Sequence, residues 1–143
     1  MNAINSGVNE KLFVLIRDSI SKTPFYNLLG LTLNELGPGF AEIGIVTQPE
    51  HTNPLGLIHG GVYMAMADAA MGNAVRSLGV KAVTVECSTS LIAASGLNEK
   101  MVAQGKVLKA GKSLFFVEAS LFCGDKLIAH SKGTFYKAGD IDI

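Results

Sequence analysis

Hydrophobic and polar positions divide this chain into a short series of elements. Leu12, Phe13, Ile16 and Ile20 recur at helical spacing, which predicts a first helix over 8–20. Thr23-Pro24 then reads as an N-cap followed by proline in the first turn, and Gly30 as the end of a short second helix. Two strands, 31–36 and 41–47, flank Gly37-Pro38-Gly39, a strong turn. A loop over 49–57 leads into a long helix over 60–78, closed by Gly79. The remainder reads as four strands, 80–90, 102–110, 114–123 and 127–136. Gly111-Lys112 and the tight Gly124-Asp125 connection separate the last three.

Between Gly61 and Gly79 the long helix carries charge only at Asp68 and Arg76, and alanine, methionine and valine occupy nearly every side. A helix that is apolar all round is expected to be buried. One such helix against six antiparallel strands predicts an α+β domain whose sheet wraps around it. The length of 143 residues suits a single domain over 1–143, and 48% hydrophobic against 17% charged residues supplies a sizeable core. Zero formal net charge argues against a broad nucleic-acid footprint. Cys87 and Cys123 lie in apolar runs without CxxC spacing and read as buried free thiols in a reducing compartment, with no metal site. The stretch 1–10 lacks the basic start and apolar core of a leader. The best membrane-span candidate, 62–75, is interrupted by Asp68 and Asn73. The expectation is a cytoplasmic protein with no membrane partner.

Four positions could carry chemistry. Asp68 places a carboxylate in the middle of a helix expected to be buried, which costs free energy unless it is paired or hydrogen-bonded. Either a local hydrogen bond or a catalytic role accounts for it. Gly60-Gly61 opens the same helix, where N–H groups lack intrahelical partners and the dipole is positive, suited to a developing oxyanion. The plain alternative is a glycine-permitted junction. His59 could bond a substrate, act as a base or lock the loop. Asn53 could form an Asx turn or polarise a carbonyl. Gly60 and Asp68 are eight residues apart, hence ~12 Å along one axis and ~80° around it. If both act on one substrate, two antiparallel copies related by a twofold axis are the natural arrangement.

The run Asn53-Pro54-Leu55-Gly56-Leu57-Ile58-His59-Gly60-Gly61-Val62-Tyr63-Met64-Ala65-Met66-Ala67-Asp68 resembles the motif of the PaaI-like hotdog acyl-CoA thioesterases. The order of elements agrees with that family from about Phe25 to Tyr136. The resemblance implies a hotdog core over 30–137, preceded by a helical segment over 1–29. It also implies hydrolysis of an acyl-CoA without a cofactor, in a homodimer with its site at the subunit interface, paired into a dimer of dimers. Asp68 would be a general base or a nucleophile. The Gly60 N–H, helped by Asn53, would polarise the thioester carbonyl, and His59 would hold substrate or assist departure. Thr84 matches the position that orients the attacking water. Gly61 and Met64 would touch substrate. Lys109, Gly111 and Lys112 would lie near the nucleotide, with Arg76 as a further phosphate contact. Phe13, Phe25, Leu28, Leu29 and Met64 are candidates for the acyl pocket. A hotdog hydratase-dehydratase is one alternative. A non-catalytic acyl-CoA-binding module is another, disfavoured by the retained Asn53, His59, Gly60 and Asp68.

Overall fold

A computed structural model describes residues 2–143; Met1, the first residue of the stretch read for a leader, lies outside them. Helix α1 spans Glu10–Lys22 and is started by Asn9, whose Oδ1 accepts from the Lys11 and Leu12 amides. Its buried face is Leu12, Phe13, Ile16 and Ile20, as the spacing predicts. Helix α2, Pro24–Leu29, has proline in its first turn and ends at Gly30, which is left-handed with φ 77°. Thr23 stands at the N-cap position, but its hydroxyl bonds the Ser19 carbonyl instead of capping α2.

Among the described residues seven strands form one sheet: β1 (Ile4–Asn5), β2 (Thr32–Gly37), β3 (Phe40–Val46), β4 (Val80–Leu91), β5 (Lys100–Ala110), β6 (Leu114–Cys123) and β7 (Lys126–Asp140). Their order is β1-β2-β3-β5-β6-β7-β4. Six strands pair antiparallel as expected; β1, which the pattern did not predict, adds a short parallel pair to β2. Strand β7 continues to Asp140, past the predicted end at 136, because its last residues pair with the start of β4.

Helix α3 (Gly60–Arg76) lies in the concavity and touches every strand from β2 to β7. This is the hotdog arrangement. The approach is closest at β5, where a Cβ on Gly105 would collide with the Ala70 carbonyl of α3. Glycine there lets backbone meet backbone. The core between helix and sheet includes Met66, Met71, Val75, Met101, Leu121 and Phe135, with α1 contributing Ile16 and Ile20.

The expectation that α3 is buried on all sides needs correction. Gly61 and Met64 are exposed, and Ala65, Asp68 and Gly72 half-exposed, so one stripe of the helix is uncovered within the chain. Beside it runs β4, an edge strand bonded only to β7, with Val83 52% and Val85 61% exposed. Cys87 on this strand is exposed and Cys123 half-buried, against the expectation of two buried thiols; both are free.

Candidate active site

The loop before α3 closes on itself. The Asn53 amide donates to the Leu57 carbonyl at 2.7 Å, and Thr52 bridges Ile58. Asn53 Oδ1 accepts from the Leu55 and Leu57 amides at 2.9 and 3.1 Å, the Asx-type turn that its sequence allowed. With its oxygen used in this way, the Nδ2 group is left without a partner among the described residues. His59 is the N-cap of α3. Its Nδ1 accepts from the Gly61 amide at 2.8 Å, its carbonyl accepts from Val62, and its own amide donates to the His51 carbonyl at 2.8 Å. A backbone N–H can only donate, so this neutral ring carries its proton on Nε2.

The Gly60 N–H lies between these caps and has no partner within the chain among the described residues. A Cβ on Gly60 would stand 2.7 Å from Leu91 Cδ1, the mobile end of an exposed side chain on β4, so the two lie in close contact but the packing does not itself demand glycine. A cleft of about 250 Å³ opens at this point, lined by Asn53, Gly60, Tyr63 and Leu91, with residues 92–94 as its far wall. The Tyr63 hydroxyl holds that wall through the Ala93 carbonyl and Ser95.

Two turns along α3 is the second half of the site. The Thr84 hydroxyl, reaching from β4, donates to Asp68 Oδ1 at 2.6 Å. Asp68 Oδ2 has no hydrogen-bond partner among the described residues. The carboxylate is half-buried on the uncovered stripe, so the desolvation cost is smaller than expected for a fully buried helix. Nearby, partial desolvation of its sulfur pushes the Cys87 thiol up; a contact with Thr89 opposes this, and the Asp68 charge adds a smaller upward push.

The other expected residues are distributed more widely. Gly111 lies in the β5–β6 turn, its amide donating to the Leu114 carbonyl, with exposed Lys109 and Lys112 on either side. Ala110 is in register with Phe115, Phe135 and then Thr84 across successive strands, so this turn lies level with Asp68 and not with Gly60. Arg76 points its guanidinium into the fold, bonding Asn73 Oδ1 and Ser19 Oγ at 2.8 Å each, and burial lowers its pKa. It is not presented to either half-site. Of the acyl-pocket candidates, Phe13 is core, Phe25 and Leu28 are exposed on α2, and Met64 lies on the uncovered stripe. Leu28 and Leu29 instead line a separate cleft of about 550 Å³ against β2, β3 and β5. The sequence reading missed His51, which holds the residue before Gly60; its one visible signal was its place two residues before Asn53.

Residues 55–129, about half of the chain, match the family model of the thioesterase superfamily. A protein of Archaeoglobus fulgidus is 32% identical over 116 residues, covering 80% of this chain and 75% of that one. The chain belongs to the thioesterase superfamily. This thioesterase-superfamily protein is also 28% identical over 134 residues to human acyl-coenzyme A thioesterase 13, covering 90% and 96% of the two chains. Among solved structures, the Escherichia coli PaaI protein from the phenylacetic acid degradation operon superposes with a TM-score of 0.88. It covers 94% of this chain and 99% of PaaI at 20% identity, and so shows the shared hotdog fold. Among the described residues no helix is long and apolar enough to cross a membrane.

Proposed function

We propose that this protein hydrolyses an acyl-CoA thioester to the free acid and CoA. The observation that carries this reading is the pairing on one helix of a partnerless Gly60 N–H with a Thr84-bonded, half-exposed Asp68. The first is a donor with nothing to donate to, at the positive end of α3. The second is a carboxylate with a free oxygen. In the proposed reaction the Gly60 amide and Asn53 Nδ2 bind the carbonyl oxygen. Asp68 takes a proton from water while that water's oxygen attacks the carbonyl carbon, and Thr84 Oγ accepts the water's other hydrogen. Collapse of the tetrahedral intermediate breaks the C–S bond. The proton that Asp68 took from water passes to the departing sulfur and restores the carboxylate. His59 Nε2–H serves only as a hydrogen-bond donor to the bound substrate, because a neutral ring already accepting at Nδ1 cannot give up its one proton. Asp68 acting as a nucleophile through a mixed anhydride uses the same groups. CoA enters as part of the substrate, and these steps draw on no cofactor.

The two halves belong to one active centre only when two copies meet. Gly60 packs on Leu91 and Asp68 bonds Thr84, at opposite ends of the helix-facing side of β4. Antiparallel pairing of two β4 strands about a point near Cys87 sets Leu91 of one copy opposite Thr84 of the other. It also covers the exposed edge and the bare stripe of α3. A homodimer with two interfacial sites is therefore part of the proposal, and so is its pairing into a dimer of dimers, which a solution mass of four chains rather than two would support. The 109–112 turn then lies on the Asp68 side of each site, where its lysines suit the CoA phosphates. One shared core, running from α1 through α3 to the sheet, supports treating 1–143 as a single domain. Free thiols at Cys87 and Cys123 suit a cytoplasmic setting.

The test is thiol release from a panel of acyl-CoAs of graded length and aromaticity, with Asp68→Asn as control. Asparagine keeps an acceptor for Thr84 but cannot take a proton. The expected result is turnover by the wild type and a loss of about a thousandfold in the variant. Full activity in Asp68→Asn, or no thiol release from any member of the panel, ends the proposal.

A further inference from the structure

His51 is a histidine that the proposed steps do not use, and it is 3% exposed. It closes a three-residue 3₁₀ turn, Pro49–His51, and both ring nitrogens are engaged. Nδ1 accepts from the Gln48 amide at 2.9 Å, and Nε2 lies 2.8 Å from the Leu29 carbonyl. An amide can only donate and a carbonyl can only accept. One ring satisfies both, the neutral form protonated on Nε2. The ring is thus a fixed strut between the end of α2 and the loop that leads into α3.

The backbone of the same residue faces the other way. The His51 carbonyl accepts the His59 amide at 2.8 Å and closes the base of the 51–59 loop. His59 is the N-cap that directly precedes the free Gly60 N–H, and Asn53 lies two residues beyond His51 inside the loop. Both carbonyl-binding donors therefore hang from one closed loop, whose ends carry two buried side chains, the apolar Ile58 and the hydrogen-bonded ring of His51.

Resting on the hydrolytic reading above, we propose that His51 is a positioning residue: its ring sets the Asn53 amide and the Gly60 N–H at the spacing a thioester oxygen needs, and ties that spacing to α2. An oxyanion site is intolerant of small displacements; shifts on the order of 1 Å cost about a hundredfold in rate. The effect belongs in kcat, because the two donors bind hardest to the charge that develops during reaction.

The experiment compares His51→Ala, His51→Asn and His51→Gln with wild type, singly and combined with Asn53→Ala, in full-length protein whose fold is checked by circular dichroism. Asparagine keeps an acceptor near Gln48; glutamine keeps a donor near Leu29. His51→Ala is expected to lose about thirtyfold or more in kcat with KM within about threefold of wild type. At least one of the two amide variants should recover most of that loss. In the Asn53→Ala background the further loss from His51→Ala should be clearly smaller than in wild type, because one of the two donors that the ring sets is already gone and only the Gly60 N–H remains to be displaced. Full multiplication of the two losses, or a folded His51→Ala variant with wild-type kcat, overturns the proposal. Hydrogen exchange at 59–61 reads the loop without substrate. Faster exchange there in His51→Ala, with α3 beyond residue 66 unchanged, is expected even if no acyl-CoA is cleaved, and unchanged exchange counts against the strut.

Discussion

At the scale of single residues, the site is a set of hydrogen-bonding valences left over once the fold has used the rest. Asn53 spends its oxygen on the loop and keeps its amide; His59 spends Nδ1 on Gly61 and keeps Nε2–H; Asp68 receives Thr84 on one oxygen and keeps the other. Thr84 carries the sharpest consequence. The bond is exposed, so water replaces most of its contribution to stability once it is lost, but in the folded chain it directs one Asp68 oxygen toward Thr84 and leaves the other free. Thr84→Val keeps a β-branched residue suited to the strand while removing the donor. The expected outcome is a fall in kcat of roughly tenfold or more with the thermal midpoint little changed; kcat equal to wild type excludes Thr84 from the site. Asn53, His59 and Gly60 stand out in the sequence because they gather at a loop-to-helix junction, and Asp68 because it is the one carboxylate within a largely apolar helix. His51 does not stand out, because its meaning lies in the carbonyl of Leu29, 22 residues away along the chain.

At the scale of elements, most boundaries follow from periodicity and turn chemistry, and the departures have physical causes. Strand β1 has two residues, too few to show an alternation. Helix α1 begins at Glu10 and not at Val8, because Asn9 supplies the cap. The bare stripe on α3 is the instructive miss. Gly61, Met64, Ala65 and Gly72 are as apolar as the core side, so the sequence shows no polar face even though the chain leaves one side open. The dimer proposed above covers this stripe, and the buried centre of a homodimer interface has a composition close to that of a core. Close packing on the opposite side is where substitution should hurt stability. Gly105→Val drives a branched side chain into the backbone of α3 at Ala70. It is expected to cost about 3 kcal/mol, read as a lower urea midpoint with an unchanged slope. A midpoint equal to wild type shows that α3 and β5 part easily, and removes the rigid frame from which Asp68 and Gly60 are hung.

At the scale of the whole molecule, the question is whether Gly60 and Asp68 of one chain ever serve one substrate. A helix holds them ~12 Å apart along its axis, beyond the reach of one carbonyl group and the water that attacks it. Strand β4 offers the resolution. It is twelve residues long, bonded on one side only, and exposes Val83 and Val85, the kind of edge that recruits another strand. Subunit mixing separates the two geometries without any structure of the assembly. Asn53→Ala disables the half-site at the start of α3, and Asp68→Asn disables the other; each homodimer should be nearly inactive. In a mixed dimer of the two, an interfacial arrangement puts both lesions in one site and leaves the other site intact. Random pairing of equal amounts makes half of the dimers mixed, each with one working site of two, so co-expressed protein should recover about a quarter of wild-type activity. If each chain carries its own complete site, every site in the mixture holds one lesion and no activity returns. Recovery that disappears when Val85→Glu is added to both chains would locate the shared surface at β4, because a charge cannot be buried along a paired edge without a partner. Recovery that survives Val85→Glu would keep the shared site but move the contact between copies away from this strand.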